Sequence, residues 1–498
     1  MTCAFFFPTT VWHYFVVAWR IPNLFRRLFG EGALSSALIP VYTEKLEEDP
    51  KSAQRLANSV LTLLIIIIAL IILMGEGLIY LFWQFRSLEP KSHVVLTLAA
   101  IMLPYVFMVC MVAALGGILH VHRHFASPAA APIVLNICWI IAVLCFRKVF
   151  GQSPWRQIYV VAVMVLIAGS LQLLLQFPAL RRLGIHLKPR FHFSDESVRK
   201  VARLMAPMIV GLAAVQINTY IDDLIAFFLS ATPERGDSFT LFGHTIYYPV
   251  REGCVAHLYY AQRLYQLPLG VFGIALASAV FPFLSSAAVR NDLREFSLIL
   301  RQGIRLVVFI ALPATAGLIL VRTPLTRLLF ERGEFTSTDT SGVSWTLTFY
   351  ALGMTAYFIQ HLIVRAYYSF QDSVTPVKVA VRVIGLHCIL NLILIWFLGT
   401  GGLALSTALC AGLQALILLV IMAHRYNLHI TRGLGSSLLK SLVATGVMTV
   451  GGVCLMLFFS QSTAGIQILV LVPACAVIFA LSSRVLKNPE LHELLRRK

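Results

Sequence analysis

Runs of about twenty or more predominantly apolar residues, the length a helix needs to cross a bilayer core of about 30 Å, recur throughout this 498-residue chain. About thirteen can be separated, near residues 10–44, 56–84, 93–120, 128–150, 157–180, 201–229, 255–287, 300–330, 342–368, 375–398, 401–424, 436–460 and 464–484. Inside lipid every backbone amide and carbonyl must be satisfied within the protein, so such spans are expected to be helices. The expected class is therefore an all-α polytopic membrane protein. Charged residues make up 12% of the chain, about half the share of a soluble domain, which agrees with that class. The nine cysteines sit mostly inside apolar runs and form no CxxC pair, so they read as small buried apolar residues. The opening MTCAFFF carries no basic region ahead of an apolar core, and a removed signal peptide is not expected.

The formal net charge of +18 is spread over the connections between spans, not gathered in one aromatic-interleaved patch, which excludes nucleic acid as the expected partner. Alternate connections are rich in Lys and Arg: Lys45, Lys51 and Arg55; Arg123; Arg181 to Lys200; Arg290, Arg294 and Arg301; Lys378; Arg425 and Arg432; and Arg484 to Lys498. The links 399–402 and 460–465 carry none. The positive-inside rule places the rich set, and with it the C-terminus, in the cytoplasm, and leaves the N-terminus of this sequence outside.

An internal repeat accompanies this alternation. Arg20, Phe29 and Gly30 recur as Arg263, Phe272 and Gly273 at a displacement of 243, and Leu34, Ser36, Ala37 and Pro40 recur as Leu276, Ser278, Ala279 and Pro282 at 242. Tyr105 and Phe125 recur as Tyr350 and Phe370 at 245. Both copies of the charged helix run in the same sense, so the duplication is expected to be parallel, with a substrate path between its halves.

The first copy, residues 20–40, RIPNLFRRLFGEGALSSALIP, puts three arginines and a glutamate in a span. A charge at mid-bilayer costs roughly 2.5–3.5 kcal/mol on insertion scales. At about 100° per residue Arg20, Asn23, Arg27 and Glu31 fall within about 80° of one another, and Pro22 is expected to bend the helix. Such a face lines a cavity or packs on protein; a structural Arg27–Glu31 pair with a snorkelling Arg20 is the competing reading. Two cationic helices suit an anion, and guanidinium forks suit phosphate oxygens. No Walker, HExxH or GxSxG motif is present, so an enzyme is not expected. Asp222 and Asp223, inside an apolar helix, are candidates for cation or proton binding, or pair with an arginine. The run 120–124, HVHRH, reads as a basic loop, not a metal site, and residues 231–253 as a small outer excursion.

These residues resemble a known family. Residues 20–40 closely resemble the signature of the MurJ (MviN) lipid II flippases, of the multidrug/oligosaccharidyl-lipid/polysaccharide exporter superfamily. Residues 259–263 (YYAQR), 324–336 (PLTRLLFERGEFT) and 367–376 (YYSFQDSVTP) support the likeness. It implies two six-helix lobes related by a pseudo-two-fold axis plus two extra C-terminal helices. Here these are an N-terminal lobe over 1–185 with five spans, the family's first helix being absent from this sequence, a C-terminal lobe over 186–430 with six spans, and a pair of transmembrane helices with a basic tail over 431–498.

The implied activity is transfer of undecaprenyl-diphosphate-linked disaccharide-pentapeptide from the inner to the outer leaflet of the bacterial cytoplasmic membrane, by alternating access through a cationic cavity. The resemblance assigns Arg26 and Arg263, with Arg20 and Arg365, to the diphosphate, and Asn23, Arg27, Glu31 and Gln266 to support of the cavity. Asp222 with Asn391 and Thr407 corresponds to a sodium site of some members, so Na+ or H+ is the implied coupling ion; no other cofactor is expected. The partners implied are lipid II, membrane lipids and proteins of cell-wall synthesis or division. His13 stands where the family often has an acid, and Gln266 where it often has a glutamate. The alternatives are another exporter of the superfamily, for polysaccharide-lipids or for drugs against cations, and a non-transporting scaffold of cell-wall synthesis.

Overall fold

The computed structural model describes residues 9–25, 33–84, 90–124, 126–149, 153–192, 195–241, 244–370, 372–428 and 434–491. It is helical almost throughout, as the apolar runs require. The helices are α1 (Thr9–Phe25), α2 (Ala33–Glu48), α3 (Pro50–Trp83), α4 (Pro90–Met102), α5 (Tyr105–Val121), α6 (Ala126–Val149), α7 (Pro154–Leu174), α8 (Phe177–Arg182) and α9 (Glu196–Phe228). There follow α10 (Cys254–Pro268), a π-helical turn (Leu269–Ile274), α11 (Ala275–Val289), α12 (Leu293–Phe330), α13 (Ser337–Leu352), α14 (Met354–Ser369), α15 (Val374–Leu398), α16 (Thr400–Arg425), α17 (Leu434–Phe458) and α18 (Ala464–Val485). Among the described residues ten helical stretches are long and apolar enough to cross a membrane, and α13 with α14, bent by 46° at Gly353, makes an eleventh if the pair is one span. The chain separates into two compact units whose boundary falls between Tyr220 and Ile221, inside α9.

In the first unit the core is aromatic. Trp12, Phe15 and Trp19 recur at helical spacing on one stripe of α1, and the stripe meets Tyr105 of α5 and Trp139 of α6, with Trp19 5.6 Å from Tyr105 and 5.7 Å from Trp139 between ring centres. Pro22 lies inside α1 without ending it. Gly169 of α7 is a contact glycine: a Cβ there would stand 2.7 Å from the Tyr105 ring.

In the second unit α12 is the axis. Its 38 residues span about 57 Å, more than a bilayer core, and α11, α13, α14, α17 and α18 all pack on it. The last two helices close a cluster of Phe309, Leu320, Ala444, Met448, Cys475 and Phe479, and Gly452 allows the approach, since a Cβ there would meet Leu320 at 2.7 Å and the Cys475 sulfur at 2.9 Å. The chain beyond α18 folds back: Glu490, buried, accepts from Arg305 Nε at 2.5 Å and from Ser437 Oγ at 2.7 Å.

The segment after α9 is the one β structure among the described residues. Ser230 and Ala231 pair in parallel with Val250 and Arg251, and between them residues Ser238–Leu241 pair antiparallel with His244–Tyr247.

Candidate functional site

One buried polar group of the second unit centres on Asp222 of α9, 1% exposed. Its partners come from the antiparallel hairpin of α15 and α16. Gly399 makes that turn at φ +58°, and Gly402 lets the helices touch, because a Cβ there would lie 2.2 Å from the Leu394 carbonyl oxygen. Backbone contact at the turn brings the polar faces of both helices within reach of α9. Asn391 Nδ2 donates to Asp222 Oδ1 at 2.6 Å, and Thr407 Oγ1 donates to Asp222 Oδ2 at 3.1 Å. His387, one turn before Asn391, brings Nε2 to 3.3 Å from Asp222 Oδ1 and to 3.3 Å from Thr407 Oγ1, while Ser406 Oγ donates to the His387 carbonyl at 3.2 Å. Asp222, His387 and Asn391 are each 1% exposed or less.

A single carboxylate in an apolar interior needs compensation, and three side chains supply it here. The set also bears on a coupling ion. Sodium is a hard, singly charged cation, and hard cations favour oxygen donors. The Asp222 carboxylate, the Thr407 hydroxyl and the Asn391 Oδ1, which is buried with no hydrogen-bond partner among the described residues, give that donor set with one matching negative charge. The group therefore fits such an ion. His387 adds a nitrogen beside it; sequence reasoning did not pick this residue out, and its i,i+4 spacing to Asn391 was the available signal. Asp223 is buried next to Asp222.

The cationic candidates lie on other faces. Arg263 of α10 is exposed and held by its own helix: Nη1 donates to Gln266 Oε1 at 3.4 Å, Nη2 to the Tyr259 hydroxyl at 3.5 Å, and the guanidinium carbon stands 4.8 Å from the Tyr259 ring centre. Below it the repeated motif becomes the π-helical turn, and Gly273 within it sits so close to Phe358 that a Cβ would meet the ring at 2.9 Å. Single π turns occur frequently at functional sites. Arg365 of α14 lies 5.9 Å from the Phe281 ring of α11, and His361 precedes it by one helical turn, adding a third basic side chain to these helices. In the first unit Arg20 and Asn23 of α1 are buried. Arg26, Arg27 and Glu31 lie outside the described residues.

Of the other motif residues, many build turns. Asp372 accepts from the Thr375 amide at 2.9 Å, from the Thr375 hydroxyl at 2.7 Å and from Arg425 Nη1 at 2.7 Å, which ties the α14–α15 turn to the end of α16. Burial acts to raise the Asp372 pKa, but the Thr375 hydrogen bonds and the Arg425 charge outweigh it and hold the carboxyl below its ordinary value. Thr336 and Asp339 form a reciprocal capping box that starts α13. His122, of the HVHRH run, meets the Tyr42 hydroxyl at 3.1 Å, and burial pushes its imidazole below the ordinary value. Among the described residues no cluster of three His, Cys, Asp or Glu side chains stands ready for a metal.

Comparison with known proteins gives one consistent result. The family model described as Lipid II flippase MurJ matches residues 3–486. A protein of Rickettsia prowazekii (strain Madrid E) named probable lipid II flippase MurJ is 31% identical over 87% of this chain and 81% of its own length. Among solved structures, a lipid II flippase MurJ in an inward closed conformation superposes with TM-score 0.73 at 24% identity, covering 98% of this chain and 95% of that one. An inward-facing multidrug resistance MATE family transporter of the MOP superfamily reaches TM-score 0.64 at 14% identity, over 87% of this chain and 96% of its own; this likeness is one of fold.

Proposed function

The chain belongs to the lipid II flippase MurJ family, and we propose that it moves lipid II, the polyprenyl-diphosphate-linked glycopeptide precursor of peptidoglycan, from the inner to the outer leaflet of the bacterial cytoplasmic membrane. The substrate cannot cross unaided, because a diphosphate and a hydrated disaccharide-peptide must pass a hydrocarbon layer while the polyprenyl tail needs no transfer. A path for it needs cationic hydrogen-bond donors near mid-membrane, and no bond is made or broken. Transport, not catalysis, is the chemistry.

In this reading Arg26 and Arg263 take the diphosphate, with Arg20 and Arg365 adding positive charge and Asn23, Arg27, Glu31 and Gln266 orienting the forks. The observation that carries it is the presentation of Arg263: an exposed guanidinium in a transmembrane helix, positioned by Tyr259 and Gln266 without being neutralised by a carboxylate in that contact. An oriented, un-neutralised cation is what an anionic headgroup binds. Access alternates between leaflets, and an ion resets the cycle. Asp222, Asn391 and Thr407 would hold Na+, whose charge would replace hydrogen bonds as compensation for the Asp222 carboxylate.

The test is growth of bacteria depleted of their own lipid II flippase. The chain is expected to restore growth, and Arg263→Ala and Arg26→Ala are expected to fail while inserting at normal levels. Growth sustained by both variants would overturn the cationic path and favour a scaffold role.

A further inference from the structure

The connection between α8 and α9, within the first unit, holds a feature that the flippase reading does not use. Residues 181–203 carry seven Lys or Arg against two acids, Asp195 and Glu196. After α8 the chain turns at Gly184, φ +69°, buries Ile185 and runs extended along α3. Polar side chains of α3 fix its backbone there. Gln54 Nε2 and Asn58 Nδ2 donate to the His186 carbonyl at 2.8 and 3.3 Å, the Lys188 amide donates to Asn58 Oδ1 at 3.2 Å, and the Arg190 amide donates to Thr62 Oγ1 at 2.9 Å.

This strap climbs. Gln54 to Thr62 is a rise of about 12 Å along the helix, from its polar first turns, with Lys51 and Arg55, to the start of its apolar run. The strap thus carries Lys188, Arg190 and then Phe191 to the level where the bilayer begins. Lys188 and His192 are exposed, Arg190 is half-buried, and the Phe191 side chain is 69% exposed. The α3 bonds to residues 188 and 190 engage their backbone amides and not their charged side chains. Basic heads beside an exposed aromatic ring, at the height of the headgroups, are the two signals that stable interfacial binding needs.

We propose that residues 185–192 are an interfacial anchor that binds anionic phospholipid headgroups beside α3, with Lys188 and Arg190 on the phosphates and Phe191 at the boundary of the acyl chains. The proposal stands independently of the transported substrate. It is tested on the full-length protein by native mass spectrometry after equilibration with phosphatidylglycerol or phosphatidylcholine. The wild type is expected to retain phosphatidylglycerol several-fold over phosphatidylcholine, and Lys188→Gln/Arg190→Gln to lose most of that preference with unchanged thermal unfolding, since the backbone amides remain. Asn58→Ala/Thr62→Ala, which frees the strap but keeps its charges, is expected to lose it too. Equal retention of both lipids by the wild type, an unaffected charge variant, or full preference in the strap-release variant would each overturn the proposal.

Discussion

Asp222 has both oxygens engaged by neutral donors in a place water does not reach, and this arrangement sets what can happen there. An Asn391 amide and a Thr407 hydroxyl meet the carboxylate as neutral donors, and neither brings a charge that would oppose the proposed monovalent cation. If Na+ is the ion, sodium is expected to raise the unfolding temperature of the purified protein relative to potassium at equal ionic strength, as binding to the folded state must. Asp222→Asn is expected to abolish that difference. A wild type indifferent to sodium would remove Na+ from the reading and leave H+. Arg263 makes the opposite kind of prediction. Its side chain is exposed and its contacts are long, so Arg263→Ala is expected to change stability by no more than about 0.5 kcal/mol while abolishing complementation. Loss of both together, seen by thermal unfolding alongside growth, would make it structural.

At the scale of elements, the α15–α16 hairpin holds Asn391 and Thr407 in register, and its glycines are the vulnerable points. Gly402→Ala drives a methyl into the Leu394 carbonyl and is expected to cost about 1–3 kcal/mol, with loss of any sodium effect, measured by unfolding with and without the ion. The α14–α15 turn gives a pH dependence. The Asp372 pKa is lowered in the folded protein, so its stabilisation is complete above the ordinary carboxylate range, near pH 4, and is lost as pH falls through the folded value. Asp372→Asn should therefore unfold more easily than wild type by about 1–3 kcal/mol at neutral pH, and the gap should close as pH falls below about 4. A gap constant with pH would mean that the charge is not what Asp372 contributes. The helices themselves were legible, because twenty apolar residues have few alternatives in lipid. The meeting of Asp222 with Asn391 and Thr407 was reachable only through family likeness, since 169 and 185 residues separate the partners and no periodicity reports such a contact. The π turn at Leu269–Ile274 and the hairpin after α9 were not legible: a π turn differs from an α turn by one residue in hydrogen-bond register, and the strands are four residues or fewer.

Across the second unit as a whole, Lys and Arg are shared unevenly between the two ends of the helices, with Arg327 and Arg332 at the C-terminal end of α12, and the side-chain contacts show which connections share an end. Arg425 meets Asp372 across the ends of α15 and α16, and Arg305 meets Glu490 beyond α18; Arg290, Arg294, Lys378 and Lys487 lie at helix ends of the same sense. At the opposite end Trp345 donates to the Leu398 carbonyl and Thr346 meets Thr400, and the links through Gly399 and through residues 459–463 contain no Lys or Arg. The positive-inside rule turns this asymmetry into a predicted orientation, with the Arg425 end and the C-terminus expected on the cytoplasmic side. Single cysteines introduced over a cysteine-free background provide the check. Gln461→Cys, exposed in the α17–α18 link, is expected to react with a membrane-impermeant maleimide in intact spheroplasts. Arg294→Cys, exposed in the first turn of α12, is expected to react only after permeabilisation. The reverse pattern would invert the direction of transport assigned to the whole molecule, because the leaflet from which an anionic headgroup is collected is fixed by which end of these helices it meets first.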